Sequence, residues 1–169
     1  LSKIIKDNFI ENEQSIKSDF KEIIQEKFTI DKLKKEYLDY IKHFKSEEKY
    51  ITDKAPLNFR WIGFIKYILP NSKIIHCKRD PKNNCLSMFK NLFEGGLNFT
   101  YDQEDLVKYY IEYKNLIDFW NSKYPDTILN VGYENLINKN KDEIVRIIKF
   151  CDLEWEDNCL EFHKNKTPI

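Results

Sequence analysis

Glycine is scarce in this chain. Its 169 residues hold four, at positions 63, 95, 96 and 132, and none belongs to a strand, glycine-rich loop and helix unit of the kind whose backbone N–H groups cradle phosphates. Excess charge is missing too. There are 28 basic and 28 acidic side chains, and without a basic surplus or stripe no nucleic-acid partner is expected. No apolar run approaches the length that crosses a bilayer, and no short apolar segment near the start reads as a signal peptide. The chain therefore reads as soluble, with no membrane segment. The four cysteines, at 77, 85, 151 and 159, form no Cys-x-x-Cys pair and lie in apolar periodic stretches. They read as small buried hydrophobes with free thiols, and no metal site is expected. Free thiols favour a reducing, cytoplasmic compartment, although localisation stays open.

What the sequence does contain is ordinary for a globular domain: 41% apolar and 33% charged residues. Residues 1–47 read as a helical region. Ile16, Phe20, Ile23 and Ile24 recur at helical spacing, and so do Ile30, Leu33, Tyr37, Ile41 and Phe44. The pattern changes at residue 48. Tyr50–Thr52 reads as a short strand, followed by a helix with Phe59, Ile62, Ile65 and Leu69 on one stripe. Lys73–Cys77 reads as a second, buried strand, and Pro81 suits the first turn of the helix after it. That helix carries Cys85, Met88 or Phe89, and Leu92 before Gly95–Gly96 breaks it. A long helix from about Asp102 to Lys123 presents Leu106, Tyr110, Tyr113, Ile117 and Trp120 as an amphipathic seam, read as core rather than a ligand box. Thr127–Val131 is the third strand. Two helices close the chain, one with Ile144, Ile147, Ile148 and Cys151, the other with Trp155, Cys159 and Phe162.

Strands separated by helices pair in parallel, because a tight hairpin cannot join them. The expected fold is α/β: an incomplete three-layer sandwich with a parallel sheet spanning residues 48–169, preceded by the helical region. Three strands are few for such a sheet. The chain opens on Leu1 rather than methionine and closes on Pro168–Ile169, and a fragment is expected.

Ligands of open parallel sheets bind beyond the carboxyl ends of the strands. Lys54 follows the first expected strand, Arg79 the second and Tyr133 the third. Two cations converging on one rim beside fresh helix N-termini make an anion site, and Arg79 can grip a phosphate with two parallel bonds. Ser87, eight residues after Arg79, lies two turns into the helix on the side facing that rim, and Lys90 shares the face. Each has a plainer reading. Arg-Asp-Pro after a strand is often only a salt-bridged helix start, and a mid-helix serine is usually filler.

KIIHCKRDPKNNCLSMF, from Lys73 to Phe89, resembles the 3′-phosphate-binding element of the sulfotransferases that use 3′-phosphoadenylyl sulfate (PAPS): a strand, an arginine, and a serine eight positions on. DKAPLNFRWIGFIKYILPNSK, from Asp53, resembles a segment of a bacterial-type branch that often carries tetratricopeptide repeats and is related to the tyrosylprotein sulfotransferases. FEGGLNFTYDQEDLVKYY, VGYENLINK and FCDLEWEDNCLEFHK match in order and spacing. The resemblance covers about residues 50–166, as the C-terminal part of a P-loop-type domain. It implies that Arg79 and Ser87 hold the nucleotide's 3′-phosphate, and that Lys54 steadies charge on the sulfuryl group and the leaving oxygen. It also implies that Tyr133 lies against the nucleotide, with Lys90 near a further basic position. Asp53 and Asn58 are read as fixing the turn around Lys54.

Two features of the family are missing from these residues: the glycine-rich loop that grips the 5′-phosphosulfate, and a recognisable general base. Glu22, Glu26 and Glu36 lie in no suitable context, while His43, His76 and His163 read as structural. The leading expectation is a fragment of an enzyme that moves sulfate from PAPS to a hydroxyl of protein tyrosine, carbohydrate or a small molecule, inactive in isolation. The alternative is a non-catalytic nucleotide- or protein-binding module derived from one. A nucleotide kinase ranks last, since Gly-x-x-x-x-Gly-Lys-Ser/Thr is absent.

Overall fold

The computed structural model describes residues 27–43, 49–93, 96–161 and 164. The expected helix through Ile16–Ile24 lies outside them, as do Phe44, Gly95, Phe162 and His163. The chain divides into two units, Leu1–Ser72 and Lys73–Ile169. The architecture is mixed α/β and mostly helical, with a two-stranded parallel sheet.

In the first unit, helix α1 (Lys27–Lys42) buries Ile30, Leu33 and Tyr37 at the three-and-four spacing of its sequence. A 3₁₀ turn, Pro56–Trp61, then leads into helix α2 (Ile62–Ile68). The single helix expected here is split because Trp61 takes φ −112° and ψ 10°, between the helical and extended regions. The stop is as expected. Leu69 turns out of the helix (φ −129°, ψ 70°), since the ring of Pro70 disfavours the helical conformation in the residue before it. Tyr50–Thr52 is not a strand. It pairs with no described segment, and Tyr50 and Ile51 are both exposed, so the buried neighbours that favour a β conformation are lacking.

The second unit begins with strand β1 (Ile74–Lys78) and helix α3 (Pro81–Lys90), then a 3₁₀ turn at Asn98–Tyr101 and helix α4 (Gln103–Lys123). Strand β2 (Ile128–Gly132), helices α5 (Tyr133–Asn138) and α6 (Asn140–Phe150) and a last 3₁₀ turn, Asp157–Leu160, complete it. Helix α5 was not expected. The final helix shrinks to that single 3₁₀ turn, with Trp155 outside it. Helix α3 also ends earlier than expected, at Lys90, so Leu92 lies beyond it and is exposed.

The strands pair in parallel from Ile74↔Ile128 to Lys78↔Gly132. Strand β2 is the more buried of the two, with Ile128, Val131 and Gly132 inside. Strand β1 is not the buried strand expected. Among the described residues it pairs with β2 alone, and Ile75, Cys77 and Lys78 are exposed. Two of the three expected strands are thus present. The α4 seam is as expected, with Leu106 and Ile117 buried and Tyr110, Tyr113 and Trp120 half-buried. All four cysteines are free, but Cys77 is exposed and the other three only half-buried.

Pro81 occupies the first turn of α3, where a missing N–H costs nothing, and the Asp80 carboxylate accepts from the Asn83 N–H at 2.9 Å. That cap fixes how the chain leaves β1 and therefore where Arg79 stands. Asp80→Ala is expected to lower unfolding free energy by about 1 kcal/mol, with Asp80→Asn recovering most of it, as measured by urea denaturation.

Candidate functional site

At the carboxyl ends of β1 and β2 a cleft of about 190 Å³ opens. Strand β1 contributes Cys77 and Lys78 to its lining, the residue after it Arg79, α3 Asn84, α4 Tyr110 and Tyr113, and the start of α5 Tyr133. Its volume falls below the roughly 300–1,000 Å³ of sites that take a whole drug-sized ligand. It suits one part of a larger molecule.

Two of the residues singled out from sequence meet here. The Arg79 guanidinium lies 5.4 Å from the centre of the Tyr133 ring, within cation–π range, and both side chains are exposed. Lys78 and Arg79 bring two positive charges to the lining, which has no carboxylate among the described residues. Ser87 is half-buried, three residues beyond Asn84 and so one turn further along the same face of α3, but it does not line the cleft. Its carbonyl accepts from the Asn91 side chain at 2.6 Å. Lys90, another turn on, is exposed.

Lys54 belongs to the first unit, where it is exposed on the segment before the 3₁₀ turn. Its neighbour Asp53 is tied down: Tyr37 of α1 donates to Asp53 Oδ2 at 2.9 Å, and Asn58 Nδ2 approaches Oδ1 at 3.4 Å. The Tyr37 hydroxyl is held protonated, its pKa raised by burial first and then by its bond to Asp53. These contacts give Asp53 and Asn58 a turn-fixing geometry.

Behind the cleft runs a chain of polar side chains whose direction is set at one end by a carbonyl that can only accept. Asn121 Nδ2 donates to Ile117 O at 3.0 Å, which leaves Asn121 Oδ1 to accept from Asn130 Nδ2 at 2.9 Å. Asn130 Oδ1 then faces His76 Nδ1 at 2.7 Å. His76 must carry its proton on Nδ1, so Nε2 accepts from the Tyr113 hydroxyl. The groups are consistent with that order. Burial lowers the His76 pKa, with the charge of Lys78 adding to the effect and the Asn130 bond opposing it. Burial, together with nearby Tyr110, pushes Tyr113 up to about 12. His76 is therefore a neutral linker, in keeping with its reading as structural. Tyr110 and Tyr113 differ from expectation: they are half-buried and form part of the cleft wall. The seam spacing identified them as a stripe, but only their alignment with the end of β1 sets them beside Arg79.

The chain matches the family model described as "Sulfotransferase family" over residues 4–157, and it belongs to that family. Among curated proteins, an uncharacterized protein of Aquifex aeolicus (strain VF5) is 31% identical over 136 residues, which is 79% of this chain and 18% of that protein. Two nematode proteins, each named "Putative protein-tyrosine sulfotransferase", are also similar. The one from Caenorhabditis briggsae is 31% identical over 68% of this chain and 41% of its own length. The one from Caenorhabditis elegans is 27% identical over 65% and 42%. The chain thus spans less than half the length of these relatives. No solved structure matches it significantly.

The lowered His76 pKa has a definite sign. The unfolded chain takes up a proton near pH 6.5 that the folded chain resists. His76 therefore leaves stability untouched above about pH 6.5 and lowers it as pH falls below that value. Urea denaturation at pH 7.5 and 5.5 is expected to show the wild type losing more stability on acidification than His76→Gln.

Proposed function

We propose that this chain is part of a transferase that moves sulfate from PAPS to a hydroxyl acceptor. In this reading β1 and β2 belong to the larger parallel sheet of a three-layer, phosphate-loop-type domain comprising residues 48–169 after a helical region of residues 1–47. The observation that carries it is the pairing of Arg79 with Tyr133 at the tips of adjacent parallel strands, in a cleft lined by two cations.

The cleft fits one end of an adenosine carrying a 3′-phosphate. A guanidinium matches phosphate oxygens in shape and charge, and a tyrosine ring offers a flat face. Arg79 and Ser87 hold the 3′-phosphate, which ordinary nucleotides lack, and so select the donor. Tyr133 lies against the nucleotide, and Lys90 adds positive charge further along α3. PAPS supplies an activated sulfuryl group. Lys54 acts on the transfer itself, because sulfuryl transfer, like phosphoryl transfer, depends chiefly on alignment and on stabilising charge on oxygens, which an ammonium does without proton chemistry. The acceptor class is a hydroxyl, and the names of the two nematode relatives favour protein tyrosine over carbohydrate and small molecules.

The scarcity of glycine favours a second reading, a non-catalytic module that binds a nucleotide or a protein. Binding of the nucleotide without sulfate transfer by the natural full-length protein is its signature.

Calorimetric titration of the full-length protein with adenosine 3′,5′-bisphosphate separates these roles. Arg79→Ala is expected to weaken binding by about ten- to a hundredfold, the range for hydrogen bonds to charged groups, and Arg79→Lys by less. Lys54→Ala is expected to bind nearly as wild type while its transfer rate collapses. Unchanged binding by Arg79→Ala refutes the assignment.

A further inference from the structure

The register of the sheet continues past the sheet. His76 and Asn130, 54 positions apart, are joined by their side chains within the ladder. The backbone pairing ends at Lys78↔Gly132, yet the next two couples at the same offset still touch. Arg79 lies over the ring of Tyr133, and the Asp80 N–H donates to Glu134 Oε1 at 2.9 Å. Asp80 is thereby held from two sides, since its own carboxylate caps Asn83 at the start of α3. Arg79 sits between the last paired residue of β1 and this fixed point. A guanidinium over a ring at an exposed site is only weakly restrained by the ring itself.

We propose that Glu134 is a positioning residue for Arg79. Its carboxylate ties the Asp80 amide to the tip of the second strand through a charge-assisted bond. It thereby holds the backbone from which the guanidinium reaches over Tyr133 toward an incoming phosphate. The inference rests on the reading of Arg79 as the 3′-phosphate ligand. It also makes a prediction opposite in sign to the simplest electrostatic one. A carboxylate that merely stands near an anion site repels the anion, so its removal tightens binding. A carboxylate that positions the arginine weakens binding when removed, despite the charge relief.

The test is the affinity of the full-length protein for adenosine 3′,5′-bisphosphate relative to adenosine 5′-monophosphate, in Glu134→Gln and Glu134→Ala. Glu134 is exposed, so truncation leaves the core untouched. Glutamine keeps the acceptor oxygen and sheds the charge, and its preference for the bisphosphate is expected to equal or exceed that of the wild type. Alanine is expected to lower that preference about fivefold, the loss of one exposed hydrogen bond. An alanine variant with equal or tighter bisphosphate binding, or one that weakens both ligands alike, overturns the proposal. Arg79→Ala measured in parallel separates the two failures. An unaltered preference there sinks the phosphate assignment itself. A preference lost in Arg79→Ala but kept in Glu134→Ala sinks only the role of Glu134.

Discussion

The parallel ladder between Ile74–Lys78 and Ile128–Gly132 brings together segments separated by an offset of 54 residues, and the contacts of Arg79 with Tyr133 and of Asp80 with Glu134 continue it. A parallel pair cannot be closed by a hairpin, so α3 and α4 have to intervene. The strands then end side by side and release their next residues in the same direction. Arg79 and Asp80 emerge beside Tyr133 and Glu134 because a parallel register continues in step. A slip of one residue sets Arg79 against Glu134 instead, turns every side chain of the strand to the opposite face and dissolves the arrangement.

Behind the ladder, the side-chain chain from the Ile117 carbonyl through Asn121, Asn130 and His76 to Tyr113 joins α4 to both strands. Partly buried polar groups are costly unless paired, and here each finds a partner whose donor or acceptor role is dictated by the one before. The result is a cleft wall with a single set of proton positions. A phenol with a pKa of about 12 beside a histidine held below its usual range remains neutral through the physiological range. Among the described residues, the basic side chains that line the cleft are Lys78 and Arg79.

Much of this was legible from sequence where local chemistry decides. Pro81 after Arg79–Asp80 marked the start of α3, Pro70 marked the end of α2, and the Leu106–Trp120 seam marked the face of α4. Sequence was weaker where long-range pairing decides. Tyr50–Thr52 has strand-like residues but no partner among the described residues, and β1 has an apolar pattern but only one paired edge. Trp61 shows the same limit within a helix: nothing in its neighbours announces that the backbone changes there from a 3₁₀ turn to α2. Of the candidate site residues, the meeting of Arg79 and Tyr133 followed from the strand-end rule. Glu134, Tyr110 and Tyr113 did not, because their relevance depends on which residue of one strand faces which residue of the other.

The proposed donor, a nucleotide with an additional phosphate, suits a cleft lined by two cations and three tyrosine rings. In the proposed function, Arg79 and Tyr133 together form the recognition point for that phosphate-bearing nucleotide. A crystal structure of the full-length protein with adenosine 3′,5′-bisphosphate tests it most directly. The expected result is the 3′-phosphate in hydrogen-bond contact with the Arg79 guanidinium and the nucleoside against the Tyr133 ring. A nucleotide bound elsewhere, with the cleft at the strand tips left to solvent, contradicts it.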